Sequence, residues 1–180
     1  MAERITIIAL LLILTGVLFG ALHGQAPSAS DPWAGWRYLM GSWVGEGGGA
    51  ETGQGGGWFA FDLDLQNKIL VRKAHSEYPA AGDKPAMVHD DLMIMYNEGP
   101  NKYRAVYFDN EGHVINYAAQ YSPDTTDLIY TSDKVTGSAR FRLTYHKVAT
   151  DTVKILFEIA SPGKPDEFNV YLSGRAHRKL

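Results

Sequence analysis

Arg72, His75 and Glu77 fall in one strand-like run, residues 68–78, and His89, Asp91 and Met93 fall in the next, residues 87–97. Guanidinium, imidazole and carboxylate groups at such spacing can recognise the polar head of a small molecule or move a proton. Side chains two apart on a strand share a face. Arg72, Ala74 and Ser76 therefore share one face, and His75 and Glu77 the other. His89, Asp91, Met93 and Met95 likewise oppose Asp90, Leu92, Ile94 and Tyr96. Residues 92–95 are apolar on both faces, so the inward set of these two strands stays open. With His89 and the methionines inward, thioether walls and one polar handle would suit an apolar ligand with a single polar group. A histidine on a strand is more often hydrogen-bonded in place or exposed than functional.

Tyr103, Ala105, Tyr107 and Asp109 alternate on a following strand, and His113, Ile115, Tyr117, Ala119 and Tyr121 on the one after. A hairpin through Asn110, Glu111 and Gly112 pairs them, so Asp109 and His113 meet at a rim while Tyr107 and Ile115 lie deeper. Tyrosine hydroxyls in an interior can bond a ligand carbonyl or carboxylate, although tyrosine is also a common strand former. Tyr145, on one face with Leu143 and Phe141 and alternating with Arg140, Arg142, Thr144 and His146, joins them. The candidate ligand-binding set is Arg72, His75, His89, Met93, Tyr107, Tyr117 and Tyr145, with no catalytic residue and no metal ligand assigned. No metalloprotease helix, nucleophile elbow, phosphate loop or dinucleotide fingerprint occurs.

The elements that must position these side chains are short alternating strands. Phe59, Phe61, Leu63 and Leu65 alternate with Ala60, Asp62 and Asp64, Val153, Ile155, Phe157 and Ile159 alternate with Lys154 and Glu158, and turn signals recur every 8–12 residues. The pattern predicts an all-β fold, a closed antiparallel up-and-down β-barrel of about ten strands, with a two-sheet sandwich as runner-up. Asp31 as N-cap and Pro32 at the first helical position predict one short helix that plugs an end, with Trp33, Trp36 and Met40 on a shared face. Residues 1–26, with Arg4 ahead of the uncharged run Ile5 to Leu22, read as a secretory signal peptide, with an uncleaved anchor as the rival. A linker, 27–30, then leads to a single barrel domain, 31–180. Export to the periplasm or the exterior follows. The 17 basic and 20 acidic residues form no basic stripe, which argues against a nucleic-acid partner. The absence of cysteine excludes disulfides and thiolate metal sites.

Gly41-Ser42-Trp43-Val44-Gly45-Glu46-Gly47 resembles the opening strand of the lipocalin-like, or calycin, superfamily, and in particular the nitrobindin-like barrels. The resemblance implies that Trp43 packs against an arginine from the last strand, for which Tyr171-Leu172-Ser173-Gly174-Arg175 offers Arg175. Gly41, Trp43, Gly45 and Arg175 form this structural signature. Nitrobindin-like proteins also imply haem, ligated by a histidine close before or at the start of the final strand. Here that stretch reads Pro165-Asp166-Glu167-Phe168, and His177 lies at the far end of the strand. Haem is therefore a lesser expectation.

The leading functional expectation is an exported, non-catalytic barrel that holds a small amphipathic or hydrophobic molecule without a cofactor. The alternative is a cofactor-independent acid–base enzyme using Arg72, His75, Glu77, His89 and Tyr107. A structural or partner-binding barrel of the cell envelope is a third reading, and the sequence carries no argument on oligomeric state.

Overall fold

The computed structural model describes residues 31–46 and 56–179. The proposed signal peptide and the linker lie outside the described residues. Ten antiparallel strands, β1 (Gly41–Gly45), β2 (Gly56–Asp64), β3 (Ile69–Tyr78), β4 (Met87–Gly99), β5 (Lys102–Asp109), β6 (Val114–Tyr121), β7 (Asp127–Ser132), β8 (Arg140–Ala149), β9 (Thr152–Ala160) and β10 (Asn169–Arg178), follow one another round a closed barrel. The sheet closes through β1 and β10, with Trp43 opposite Arg178 and Gly45 opposite Ala176. Closure leaves no sheet edge, which is why a meander of short strands is stable without disulfides.

The N-terminal helix is present, but it is a 3₁₀ helix, Ala34–Leu39, and Trp33 rather than Asp31 stands at its N-cap. Asp31 acts one step earlier, accepting a hydrogen bond from the Trp33 amide (3.0 Å) and pairing with Arg37 (2.8 Å). With three residues per turn, Trp33, Trp36 and Leu39 align and are fully buried, and Leu39 takes the place that α-helical spacing gives to Met40. The plug is tied in by aromatic contacts and hydrogen bonds. The Trp36 ring centroid lies 4.2 Å from Tyr103 and 4.7 Å from Tyr121. Trp36 Nε1 donates to the Tyr130 hydroxyl (2.9 Å), Trp33 Nε1 to the Asn67 carbonyl (3.0 Å), and the Tyr103 hydroxyl to the Pro32 carbonyl (2.7 Å). Gly35 lets Tyr121 approach, because a Cβ there would lie 2.3 Å from the tyrosine ring.

Gly41 turns the chain from the plug into β1 at φ +92°, a conformation that suits glycine. Trp43 is then fully buried and donates from Nε1 to the Leu39 carbonyl (2.7 Å). Its arginine partner is Arg178, not Arg175. The Arg178 guanidinium sits 4.5 Å from the Trp43 ring and donates to the carbonyls of Met40 and Tyr38, the latter at 2.6 Å. Arg175 is exposed on the outer wall. The register explains the correction: Ala176 is buried opposite Val153, so Arg178 shares its inward face and Arg175 and His177 take the other.

Below the plug the interior is filled by Phe59, Phe61, Leu70, Met93, Met95, Tyr117, Leu128, Tyr130 and Tyr145, all buried. The Tyr130 hydroxyl donates to Met95 Sδ at 3.0 Å. The alternation expected of β2, β5, β6 and β8 holds in this core, except that Leu65 lies beyond β2 in a turn and is exposed.

Arg178→Gln removes charge-assisted bonds to two carbonyls and a contact with Trp43, and is expected to cost about 2–3 kcal/mol in urea unfolding. Arg175→Gln is expected to change stability by no more than about 0.5 kcal/mol.

Candidate functional site

Two ends of the barrel differ. The end away from the plug is bounded by the β3–β4, β5–β6, β7–β8 and β9–β10 connections. Register places Tyr107 opposite Ile115, Leu143 opposite Phe157 and Tyr145 opposite Ile155, all facing in. Tyr107, Ile115, Phe141, Ile155 and Phe157 nevertheless remain partly exposed. An inward side chain can be exposed only where solvent enters the barrel, so among the described residues this end opens as a well.

Small residues make the room. Gly45, Gly57, Ala74, Ser76, Gly174 and Ala176 contribute the inward positions of β1, β2, β3 and β10 on one side. A Cβ added at Gly174 would meet nothing within 4 Å. Gly174 pairs with Ile155, which pairs with Tyr145, so the open space lies beside Ile155 and above the fully buried Tyr145.

Arg72 and Asp91 lie at the floor. β3 and β4 pair Arg72 with Met93 and Ala74 with Asp91, which makes Arg72 and Asp91 diagonal neighbours on the inner face. They form an ion pair in which the Arg72 side chain is 10% and the Asp91 side chain 8% exposed. Burial works against the arginine's charge, but Asp91, with Tyr145 and Tyr107 adding to it, outweighs burial and holds its pKa above the usual value. The guanidinium lies 5.7 Å from the Phe59 ring centroid and 6.0 Å from that of Tyr145.

A polar chain rises from this pair to the rim. His89 Nε2 is 3.7 Å from Asp91 and 3.0 Å from the Tyr107 hydroxyl, and His89 Nδ1 is 2.9 Å from Glu111. The Tyr107 hydroxyl is 3.4 Å from Asp109, and Asp109 is 2.8 Å from His113 Nδ1. Burial would raise the Asp109 pKa, but bonds from the His113 amide and ring hold it below the usual carboxylate range. Burial raises the Tyr107 pKa, helped by Asp91 and Asp109, and likewise raises that of Tyr117. Burial pushes Tyr145 up to about 12, with Arg72 opposing. These hydroxyls are therefore protonated donors at neutral pH.

Of the seven sequence candidates, Arg72, His89, Met93, Tyr107, Tyr117 and Tyr145 face inward. His75 does not. It stands on the outer wall, bonded to Asp90 (2.7 Å) and Glu77 (3.0 Å), with Trp58 stacked 6.2 Å away. It borders an outer depression of about 620 Å³ between Val44, Trp58 and Lys179. Arg72 and His75 are three apart on a strand, so only one of them can enter the barrel. Sequence reasoning left Asp91, Glu111 and Gly174 out of the site. Asp91 was findable, since it shares parity with His89 and Met93; Glu111 reaches in from a turn, and an empty Gly174 position has no local signal.

The haem implied by the resemblance can be weighed against the imidazoles. Among the described residues, His89 is the one histidine inside the wall, and both its ring nitrogens are engaged. His113 stands at the rim, while His146 pairs with Asp127 and His177 with Glu46. This set offers no free inward imidazole to ligate iron. The described residues likewise hold no cluster of three or more His, Cys, Asp or Glu arranged for a metal ion.

The fold compares with the crystal structure of Rv2717c from M. tuberculosis, at a TM-score of 0.61 and 15% identity over 84% of this chain and 99% of that one. At that identity the likeness shows the fold alone, and it fits a calycin-like barrel at a coarse level. No family model matches the chain, and no curated protein does.

Two predictions follow from the geometry. Removing one partner of the buried pair, as in Arg72→Met or Asp91→Leu, is expected to cost about 3–5 kcal/mol, whereas Arg72→Met with Asp91→Leu costs less than either single change; a double-mutant cycle in urea reads this directly. Asp109 has a lowered folded pKa, so its stabilising contribution is intact above the unfolded value near pH 3.9 and fades as pH falls through the lower folded value. The Asp109 side-chain carboxyl ¹³C NMR shift is expected to have its titration midpoint below about pH 3.9.

Proposed function

We propose that this chain is an exported binding protein that holds a small amphipathic molecule in the well at the open end of its barrel. The carrying observation is the group of inward side chains, Tyr107, Ile115, Ile155 and Phe157, that stay solvent-reachable around a Gly174 position with nothing near it. An apolar wall with a few convergent polar groups is the usual make-up of a ligand pocket. Arg72, His89, Tyr107 and Tyr145 are the polar groups, and Met93 and Tyr117 close the floor. Export is supported by the uncharged run Ile5 to Leu22 behind Arg4.

A second reading rests on one distance, the 3.0 Å between His89 Nε2 and the Tyr107 hydroxyl. An imidazole and a phenol in contact over a buried arginine can exchange a proton with a bound substrate. It differs from simple binding in one respect: the bound molecule would be converted over time, and His89→Gln would stop the conversion.

The neutral fluorophore N-phenyl-1-naphthylamine tests the binding reading. One equivalent is expected to bind with enhanced emission, and Gly174→Phe, which fills the space, is expected to weaken binding at least about tenfold while the circular dichroism of the barrel persists. Saturable binding that ignores Gly174→Phe would place the probe elsewhere and contradict the proposal.

A further inference from the structure

At its start β10 carries one residue too many for its partner. Val170 pairs with Glu158 and Leu172 with Phe157, so Tyr171 is the extra residue of a β-bulge. At a bulge two residues of one strand stand against one of the other. Tyr171 and Leu172 both stand against the inward-facing Phe157, and the Tyr171 ring lies edge to face with that of Phe157, centroids 6.2 Å apart and planes at 80°. With Leu172 inward, an unbroken alternation would send Tyr171 to the outer wall; the bulge turns it toward the mouth instead. Tyr171 gains little packing from this, since it stays 59% exposed. Bulges recur beside active sites because they re-aim a side chain in this way.

Phe157 in turn faces Phe141, with centroids 5.9 Å apart and planes 7° from parallel. Phe141, Phe157 and Tyr171 thus make a row of rings across β8, β9 and β10, each at least partly exposed. β9 lies five strands round the barrel from β4, so the row stands across the mouth from His89, Tyr107 and Glu111. The two walls differ in chemistry. Beside the rings the inward positions are Leu143, Ile155, Leu172 and Gly174, and together with the rings they bring one polar side-chain group, the Tyr171 hydroxyl. A sugar or other polyol laid there would leave hydroxyls without partners. An alkyl chain would gain contact area alone, whereas a flat aromatic ring also meets the faces and edges of the wall rings through their quadrupoles.

We infer that Tyr171 determines the specificity of the well, which takes a planar aromatic ring against Phe157 and Tyr171 with the ligand's polar group turned toward His89 and Tyr107. This rests on the ligand-binding reading above. It narrows an amphipathic ligand to an aromatic one and gives the β10 bulge a task.

Two alcohols with the same headgroup and fused-ring outline test it, 2-naphthalenemethanol and decahydro-2-naphthalenemethanol, each competed against N-phenyl-1-naphthylamine at pH 7 with every variant's own probe affinity in the conversion. The saturated alcohol is the more hydrophobic, so burial alone favours it. The aromatic alcohol is nevertheless expected to compete about three- to tenfold better. Tyr171→Leu keeps an apolar side chain but removes the ring, and is expected to bring the two alcohols within about twofold by weakening the aromatic one; Tyr171→Phe is expected to retain the preference. Neither change is expected to lower the unfolding midpoint, because Tyr171 is largely exposed. Trp58→Leu, an exposed aromatic of the outer wall, is expected to leave the preference unchanged. A saturated alcohol that binds as well as the aromatic one overturns the inference. So does a preference that survives Tyr171→Leu or is lost in Trp58→Leu, and so does an equal weakening of both alcohols by Tyr171→Leu, which lost contact area would explain. All of these leave the binding reading standing; a probe that fails to bind, or that ignores Gly174→Phe, overturns both.

Discussion

A guanidinium placed inside a barrel must be neutralised, and the Arg72–Asp91 pair is the constraint on which the rest of the site depends. An unpaired buried charge costs several kcal/mol, so the register of β3 against β4 has to bring a carboxylate alongside. It does so diagonally, with Ala74 opposite Asp91 and Met93 opposite Arg72. A larger residue at Ala74 would occupy the space above Asp91. The pair in turn sets the electrostatics of everything above it, because Asp91 consumes the one inward positive charge near the well and lies within 4 Å of His89.

The interior is divided by side-chain volume. Toward the plug, indoles and phenols pack edge to face, with Tyr130 linking Trp36 to Met95 through hydrogen bonds, so that half is a core. Toward the mouth, glycines, alanines and a serine on β1, β2, β3 and β10 replace large residues and leave a one-sided space opposite Tyr107 and Ile115. The closed sheet holds both halves without exposing an edge, and the Arg178 bonds to the carbonyls of Tyr38 and Met40 fasten the plug to the last strand. Stability is concentrated at one end and access at the other.

Much of this architecture is legible in the chain. The alternation in β2, β5, β6 and β8 gives the barrel and the inward tyrosines, and Asp109 with His113 marks the hairpin rim. Four points are not legible, each for a physical reason. Residues 92–95 are apolar on both faces, so only pairing with β3 fixes which side of β4 is inside. The inward residues of β10 near its end are Gly174 and Ala176, too small to display a period, and the choice between Arg175 and Arg178 therefore has no local signal. The plug winds as a 3₁₀ helix, and its three residues per turn move the third buried residue from Met40 to Leu39. His75 carries the same chemistry as His89 but the wrong parity.

The central claim is that Arg72 is a buried guanidinium held inside the barrel by Asp91. The side-chain ¹H–¹⁵Nε NMR signal of Arg72, assigned by its loss in Arg72→Lys, tests this most directly. The account predicts an Hε that exchanges with solvent far more slowly than those of surface arginines and that exchanges faster once Asp91→Asn removes its partner. An Hε that exchanges as fast as its surface counterparts, or that is indifferent to Asp91→Asn, would contradict it.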